Sequence, residues 1–573
     1  MRIPKISEGV IRLATTVIAS LLPNLGFGAG YDTVLRGGMI YDGSGGPPYS
    51  ADIAIDNDKI AFIGTVSKDD LDATARVMDI SGLAVSSGFI NVLSWANESL
   101  LIDGRSLSDI RQGVTLEVFG EGSSMGPITP AMRTRMTQQN TDLNYDIPWT
   151  TLGEYLDHLV AQGVSPNVAS FVGATTVRIH ELGYDNRQPN PEQLSRMQAL
   201  VEQAMLEGAL GVGSSLIYAP AFYAQTGELI ALMNSAARHG GSYISHLRSE
   251  GNRLLESLDE LIYIAEQTRA PAQIYHLKIA GQSNWHKMDA VIKKIEAARA
   301  RGLMISANMY SYTAGSTGLD ASMPPWVQEG GYSAWRDRLC NPDIRQQILQ
   351  EMITPTDAWE NLLLAAGPDN TLLVGFNNPK LRAYTGKTLT EVARLRGQTP
   401  QEAAIDLVVE DGSQVQVIYF LMSEDNVART MALPWVSYGS DAASLASEGI
   451  FLNRSTHPRA YGNFARVLGE YVREQKVLTL PKAIQKLTQL PARQLGLRLR
   501  GTLAVGFFAD LTVFDPMLVR DNATYTDPHQ YATGVIHVFV NGQPVLLHTK
   551  HTGRLPGRVV RGPGWAGWAD KNH

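Results

Sequence analysis

Cysteine is almost absent: Cys340 is the single one among 573 residues, so no intramolecular disulfide can form and stability has to come from packing or a bound ion. Runs of lysine or arginine are missing too, and 49 basic against 56 acidic residues leave a net charge of -7. Without a basic face the chain has little to offer phosphates, which speaks against nucleic acid as a partner. Low-complexity tracts and short repeats are lacking. Long apolar runs are confined to the start, where Arg2, Lys5 and Arg12 precede the run Leu13 to Leu22, followed by Gly26, Gly28, Ala29 and Gly30. Residues 1–30 therefore read as a signal peptide. An anchoring helix is the alternative, but the run is shorter than the ~20 residues that span a bilayer. The expectation is an exported protein, periplasmic or extracellular, with no stable membrane span after signal removal.

What remains is ample for a large core. A prior of ~150 residues per domain allows several units, although (β/α)8 barrels with insertions exceed about 400 residues as one. Tyr31 to Val77 alternates short apolar runs with turns such as Asp42-Gly43-Ser44-Gly45-Gly46, and Gly501 to Val545 has the same texture. Both read as short antiparallel strands, and together they predict one composite β-sandwich domain from residues 31–83 and 497–560. Between them, eight strand-like runs alternate with helical stretches: Ala84 to Leu93, Val114 to Phe119, Val168 to Val172, Leu210 to Ser214, Ser242 to Leu247, Gln273 to Ile279, Met304 to Tyr310 and Val436 to Gly439. This pattern predicts an α/β fold, a closed TIM-like (β/α)8 barrel over residues 84–496. Residues 319–433 are too many for a loop and contain helical stretches at Asn341 to Met352 and Leu389 to Arg396. They read as a subdomain inserted before strand 8, beside the barrel mouth.

Polar residues at the C-terminal ends of barrel strands converge on one mouth. His246 and His276 end consecutive strands, and two histidines so placed can approach one ion; singly, each is as readily a structural residue. Asp441 follows Trp435-Val436-Ser437-Tyr438-Gly439-Ser440. A carboxylate there can take a proton from a water activated by an ion, or cap a helix. Lys278, Tyr310 and Ser316 offer ammonium and hydroxyl donors nearby, which core or surface hydrogen bonding would explain equally well.

Six motifs, in order, make the pattern specific: His246-Leu-Arg248-Ser-Glu250-Gly251, His276-Leu-Lys278-x-x-Gly281, Tyr310-Ser-Tyr312-Thr-Ala-Gly315-Ser316-Thr317, Ser440-Asp441, His457-Pro458-Arg459-x-Tyr461-Gly462 and Ala509-Asp510. Together they resemble the N-acyl-D-amino-acid deacylase (D-aminoacylase) branch of the metal-dependent amidohydrolases over nearly the whole mature chain. The resemblance implies zinc, held by His246, His276 and a third ligand after strand 2. That ligand is usually a cysteine; here Glu121 occupies its position, with Glu117 as a rival, and a carboxylate is an ordinary zinc ligand. Asp441 matches the general base that activates water and later protonates the leaving nitrogen. Lys278, Tyr310, Ser316 and Arg459 fall in motifs implied to hold the carboxylate of a small N-acyl amino acid, whereas Arg248 and His457 read as supporting residues.

The chain departs from that pattern at strand 1. Gly88-Phe89-Ile90-Asn91-Val92-Leu93-Ser94-Trp95 follows the outline Gly-Phe-Ile-Asp-x-His-x-His, with Asn91 for the aspartate and Leu93 and Trp95 for both histidines. In the family those histidines serve a second, weaker metal position, so the expectation is one zinc per chain, with Trp95 filling the vacated volume. Two other functions stay open at this point: a metal-dependent dipeptidase or cyclic amidase, and a non-catalytic pseudoenzyme that binds small carboxylates.

Overall fold

A computed structural model describes residues 30–68, 70–71, 74–139 and 143–568. Apart from Gly30, the signal-peptide reading lies outside the described residues. Among the described residues no helix is long and apolar enough to cross a membrane.

Both chain ends build one sheet. Strands Thr33–Tyr41, Tyr49–Asp56 and Lys59–Gly64 pair antiparallel, while Ala84–Ser87 joins this N-terminal part to Leu511–Phe514 of the C-terminal part. The nine-stranded sheet folds over, so that Lys59 also bridges to Phe508. Leu35, Ile53, Ile55, Val85, Leu511 and Phe539 pack together in its interior. Asp510, from the last motif, is structural. It pairs with Arg500, accepts from the Asn541 amide at 2.8 Å and meets Asn167 Nδ2 at 3.3 Å, tying the sheet to the barrel.

The barrel strands are β1 (Phe89–Asn91), β2 (Val114–Phe119), β3 (Asn167–Ser170, resuming at Val172–Gly173), β4 (Gly211–Ser215), β5 (Ser242–His246), β6 (Ala272–Ile274), β7 (Ile305–Met309) and β8 (Val436–Tyr438). Neighbours pair in parallel in this order. The ring closes just beyond β1 and β8, where Asp441 N donates to Leu93 O and Trp95 N to Ala442 O, each at 2.9 Å. Ile90, Leu116, Val118, Ala169, Phe171, Leu210, Ile244 and Tyr275 form one buried cluster contributed by strands around the ring, the filled lumen expected of such a barrel.

The sequence predicts one strand from Ala84 to Leu93; the structure corrects this to two. Gly88 is the pivot: its N–H still reaches the end-domain carbonyl of Asp510 at 2.8 Å, whereas the next N–H, of Phe89, bonds Gly113 O at 2.9 Å. Only glycine fits, because a Cβ there would lie 2.0 Å from Thr115 Oγ1.

The insertion contains a three-stranded sheet in which Ala314–Gly318 and Thr371–Gly375 flank Gln416–Phe420. It therefore begins ahead of the expected boundary at 319. Helix Glu424–Ala432, inside the expected insertion, leads straight into β8. Helix Leu389–Arg396 starts where Thr388 accepts from Glu391 N in a capping box, a local signal readable in the sequence.

Candidate metal centre and active site

Three side chains from the C-terminal ends of β2, β5 and β6 meet at the mouth. Glu121 Oε1 lies 3.1 Å from His246 Nδ1 and 2.9 Å from His276 Nε2. One ligand atom from each residue falls within 4.8 Å of the others, and all three residues are buried. His276 follows β6 with φ 34°, a left-handed turn that swings its ring beside that of His246, 4.6 Å between centroids. Among the described residues no other group of three or more His, Cys, Asp or Glu offers ligand atoms so close together. A buried N2O donor set of this kind fits a catalytic zinc site. Glu117 is turned away, accepting from Asn91 Nδ2 at 3.0 Å and Ser106 Oγ at 3.2 Å, and burial pushes it up to about 7. Glu121, not Glu117, faces the histidines.

One residue that sequence reasoning did not single out holds this set in place. Glu250 Oε1 is 3.0 Å from His276 Nδ1 and its Oε2 is 3.4 Å from His246 Nε2, so one carboxylate faces the outer nitrogen of both rings. The tautomer that leaves His276 Nε2 free for a metal carries its proton on Nδ1, toward Glu250. Lys278 Nζ completes the cluster, donating to Glu250 Oε1 at 2.8 Å and lying beside the His276 ring. Burial pushes Glu250 upward, but the charges of His246, Lys278 and His276 bring it down to about 2. Burial also raises Glu121, and the neighbouring histidines outweigh it and hold the carboxyl well below the usual range. His276 is pulled down by burial and Lys278, yet Glu250 and Glu121 raise it to about 9; His246, where burial dominates, stays below its ordinary value.

Across the mouth stands Asp441. No helix follows directly, so it is not a cap; its φ of 50° turns the side chain toward the cluster. Oδ1 accepts from Trp95 Nε1 at 3.1 Å and Oδ2 meets Arg459 Nη1 at 2.8 Å. Burial raises Asp441, partly countered by Arg459. The same Trp95 N–H reaches Glu121 Oε2 at 3.0 Å. Asn91 fixes the seam beneath: its Nδ2 donates to Ser440 Oγ at 2.8 Å and to Glu117, while its Oδ1 accepts from Ser440 N at 2.9 Å. An aspartate could not make both donations, which accounts for the amide at this position.

Of the residues expected at the substrate carboxylate, Lys278, Tyr310 and Arg459 are brought to the same mouth, whereas the expected role of Ser316 is not met because its hydroxyl is engaged elsewhere. Arg459 lies over the Tyr310 ring at 4.5 Å. The Tyr310 hydroxyl has only a weak contact, 3.5 Å to Met422 Sδ, while Lys278 is engaged by Glu250. Ser316 Oγ points into the insertion sheet, donating to Val417 O at 2.8 Å and accepting from Gln416 at 2.9 Å. His457 is structural, accepting from Arg459 N and facing Ala314 O, each at 3.0 Å. Arg248 is held by Glu260 through two contacts of 2.8 and 2.9 Å. Tyr218, also missed in the sequence, packs edge-on against His246 at 5.3 Å; it lies beyond β4 in a stretch with no polar pattern to mark it.

The model of the Amidohydrolase family matches residues 381–546. D-aminoacylase of Alcaligenes xylosoxydans xylosoxydans is 34% identical over 534 residues, 92% of this chain and 97% of that protein. The crystal structure of N-acyl-D-glutamate deacylase from Bordetella bronchiseptica, complexed with zinc and a phosphonate inhibitor, superposes with a TM-score of 0.77 at 29% identity, covering 93% of this chain and 100% of the other. A D-aminoacylase structure described for its binuclear metal centre, with one-metal activation and second-metal attenuation, gives 0.76 at 30% identity, with 93% and 100% covered. With the fold, the buried Glu121, His246 and His276 set and this full-length similarity together, the chain belongs to the D-aminoacylase family of amidohydrolases.

Proposed function

We propose that the protein is a single-zinc hydrolase that cleaves the amide bond of N-acyl amino acids, of D configuration as in the names of its relatives. The observation that carries this reading is the convergence of Glu121, His246 and His276 with Asp441 facing them across one N–H. Zinc bound by the three ligands supplies a Lewis acid that polarises an amide carbonyl and lowers the pKa of water. Asp441 accepts the proton of the attacking water at its carboxylate and returns it to the departing nitrogen. Arg459, at Oδ2, favours the ionised form that can act as base. Arg459 and the Tyr310 hydroxyl are the donors best placed to receive the substrate carboxylate, with Lys278 shared between that anion and Glu250. The export reading of residues 1–30 places the activity outside the cytoplasm and is tested by cell fractionation.

The decisive experiment is metal content of the purified protein together with hydrolysis of a panel of N-acyl D- and L-amino acids. One equivalent of zinc and D-selective cleavage are expected. Trace metal after zinc supplementation and no hydrolysis would sink the proposal. Glu121→Ala should release the metal, and a variant that keeps zinc with full activity would reject Glu121 as a ligand.

A further inference from the structure

Trp95 occupies a position that its residue type does not explain by packing. The residue is 38% exposed, so burial of apolar surface alone does not account for an indole here. Its backbone is nonetheless fixed, because Trp95 N is bonded to Ala442 O at 2.9 Å in the seam that closes the barrel. From that anchor the single indole N–H reaches Glu121 Oε2 at 3.0 Å and Asp441 Oδ1 at 3.1 Å. Two carboxylate oxygens converging on one point is the arrangement that holds a divalent cation. Here the point is taken by a neutral donor whose backbone is anchored in the seam. Leu93, two residues earlier, is buried among apolar neighbours and offers no ligand in its place.

Building on the single-zinc reading, we propose that Trp95 is a positioning residue that substitutes for a second cation. Its N–H fixes the outer oxygen of Glu121 and the base oxygen of Asp441 in one geometry, and its ring excludes a further metal ion from the space between them. The chain is thereby restricted to one zinc, whatever the metal concentration.

Trp95→Phe keeps an aromatic ring and removes the N–H. In excess zinc followed by desalting, the wild type should retain one equivalent and Trp95→Phe should take up a second. The variant's kcat should fall roughly tenfold, the worth of one hydrogen bond to a charged group, with KM little changed, and excess zinc should alter its rate but not that of the wild type. A variant with one zinc, unchanged kcat and no response to excess metal would overturn the proposal. Should Trp95→Phe fail to fold, the wild type suffices. The ¹⁵N-indole resonance of Trp95 should be strongly hydrogen-bonded and protected from exchange despite the exposure of the residue, whereas an indole exchanging freely with water would reject the bridge. A wild type that binds no zinc and hydrolyses nothing would instead defeat the functional reading, so the two failures are distinguishable.

Discussion

At the scale of the residue, the centre depends on carboxylates whose work differs with their partners. Glu250 touches both histidines without belonging to the ligand set, so Glu250→Gln should leave zinc bound but weaken it by about 10–100-fold, measured by competition with a chelator. Unchanged affinity would show that the rings hold their orientation without it. Asp441→Asn should retain zinc and lose roughly 10² or more in kcat, checked by metal analysis beside turnover. That His246, His276 and Asp441 would meet at one mouth was legible in the sequence, because they end apolar runs and recur in ordered motifs. Glu250 stood in the same motif, but a glutamate four residues after a histidine is ordinary until the ring of a second strand is seen to face it. Trp95 was readable as a missing histidine and as bulk for the vacated volume; which atoms its N–H reaches depends on how β1 meets β8.

Among the elements, the passage from the end sheet to β1 is the least forgiving. With 2.0 Å between a Cβ at Gly88 and Thr115 Oγ1, Gly88→Ala has to displace either strand, and overpacking of this kind costs about 1–3 kcal/mol. Denaturant unfolding should show the loss, and an alanine tolerated at no cost would mean the strands yield more readily than their pairing implies. Periodicity could not reveal this pivot, since the apolar run from Ala84 to Leu93 is unbroken by charge. The division between two sheets is set by which carbonyl each N–H finds, Asp510 for Gly88 and Gly113 for Phe89. The insertion was legible as excess length, but its first strand, Ala314–Gly318, was hidden inside a motif that pointed to the mouth.

For the whole molecule, the end sheet contributes its own pH sensitivity. Burial, reinforced by His548, lowers His537 to about 4, and burial together with Arg105 lowers His551 to about 4; His551 Nε2 also meets Ser165 Oγ of the barrel at 2.9 Å. The folded values lie below the unfolded value of ~6.5, so between the two the unfolded chain binds more protons. Stability from these groups is complete above about pH 6.5 and is lost as pH falls toward 4. Replacing both with glutamine should flatten that decline in zinc-free protein, followed by denaturation midpoints at several pH values; an equally steep decline would assign it elsewhere. The composite domain was foreseen from two strand-rich ends, whereas its histidines could not be, because neutrality follows from burial that only the folded sheet supplies. The closing seam carries a consequence for synthesis. Glu121, His246 and His276 all lie on strands made before β7, yet Asp441 is placed by Leu93 and Asn91, at the opposite end of the ring, and arrives only with β8. The three residues that would hold zinc thus all precede β7 in the chain, whereas Asp441 is set against them only when the ring has joined its own beginning.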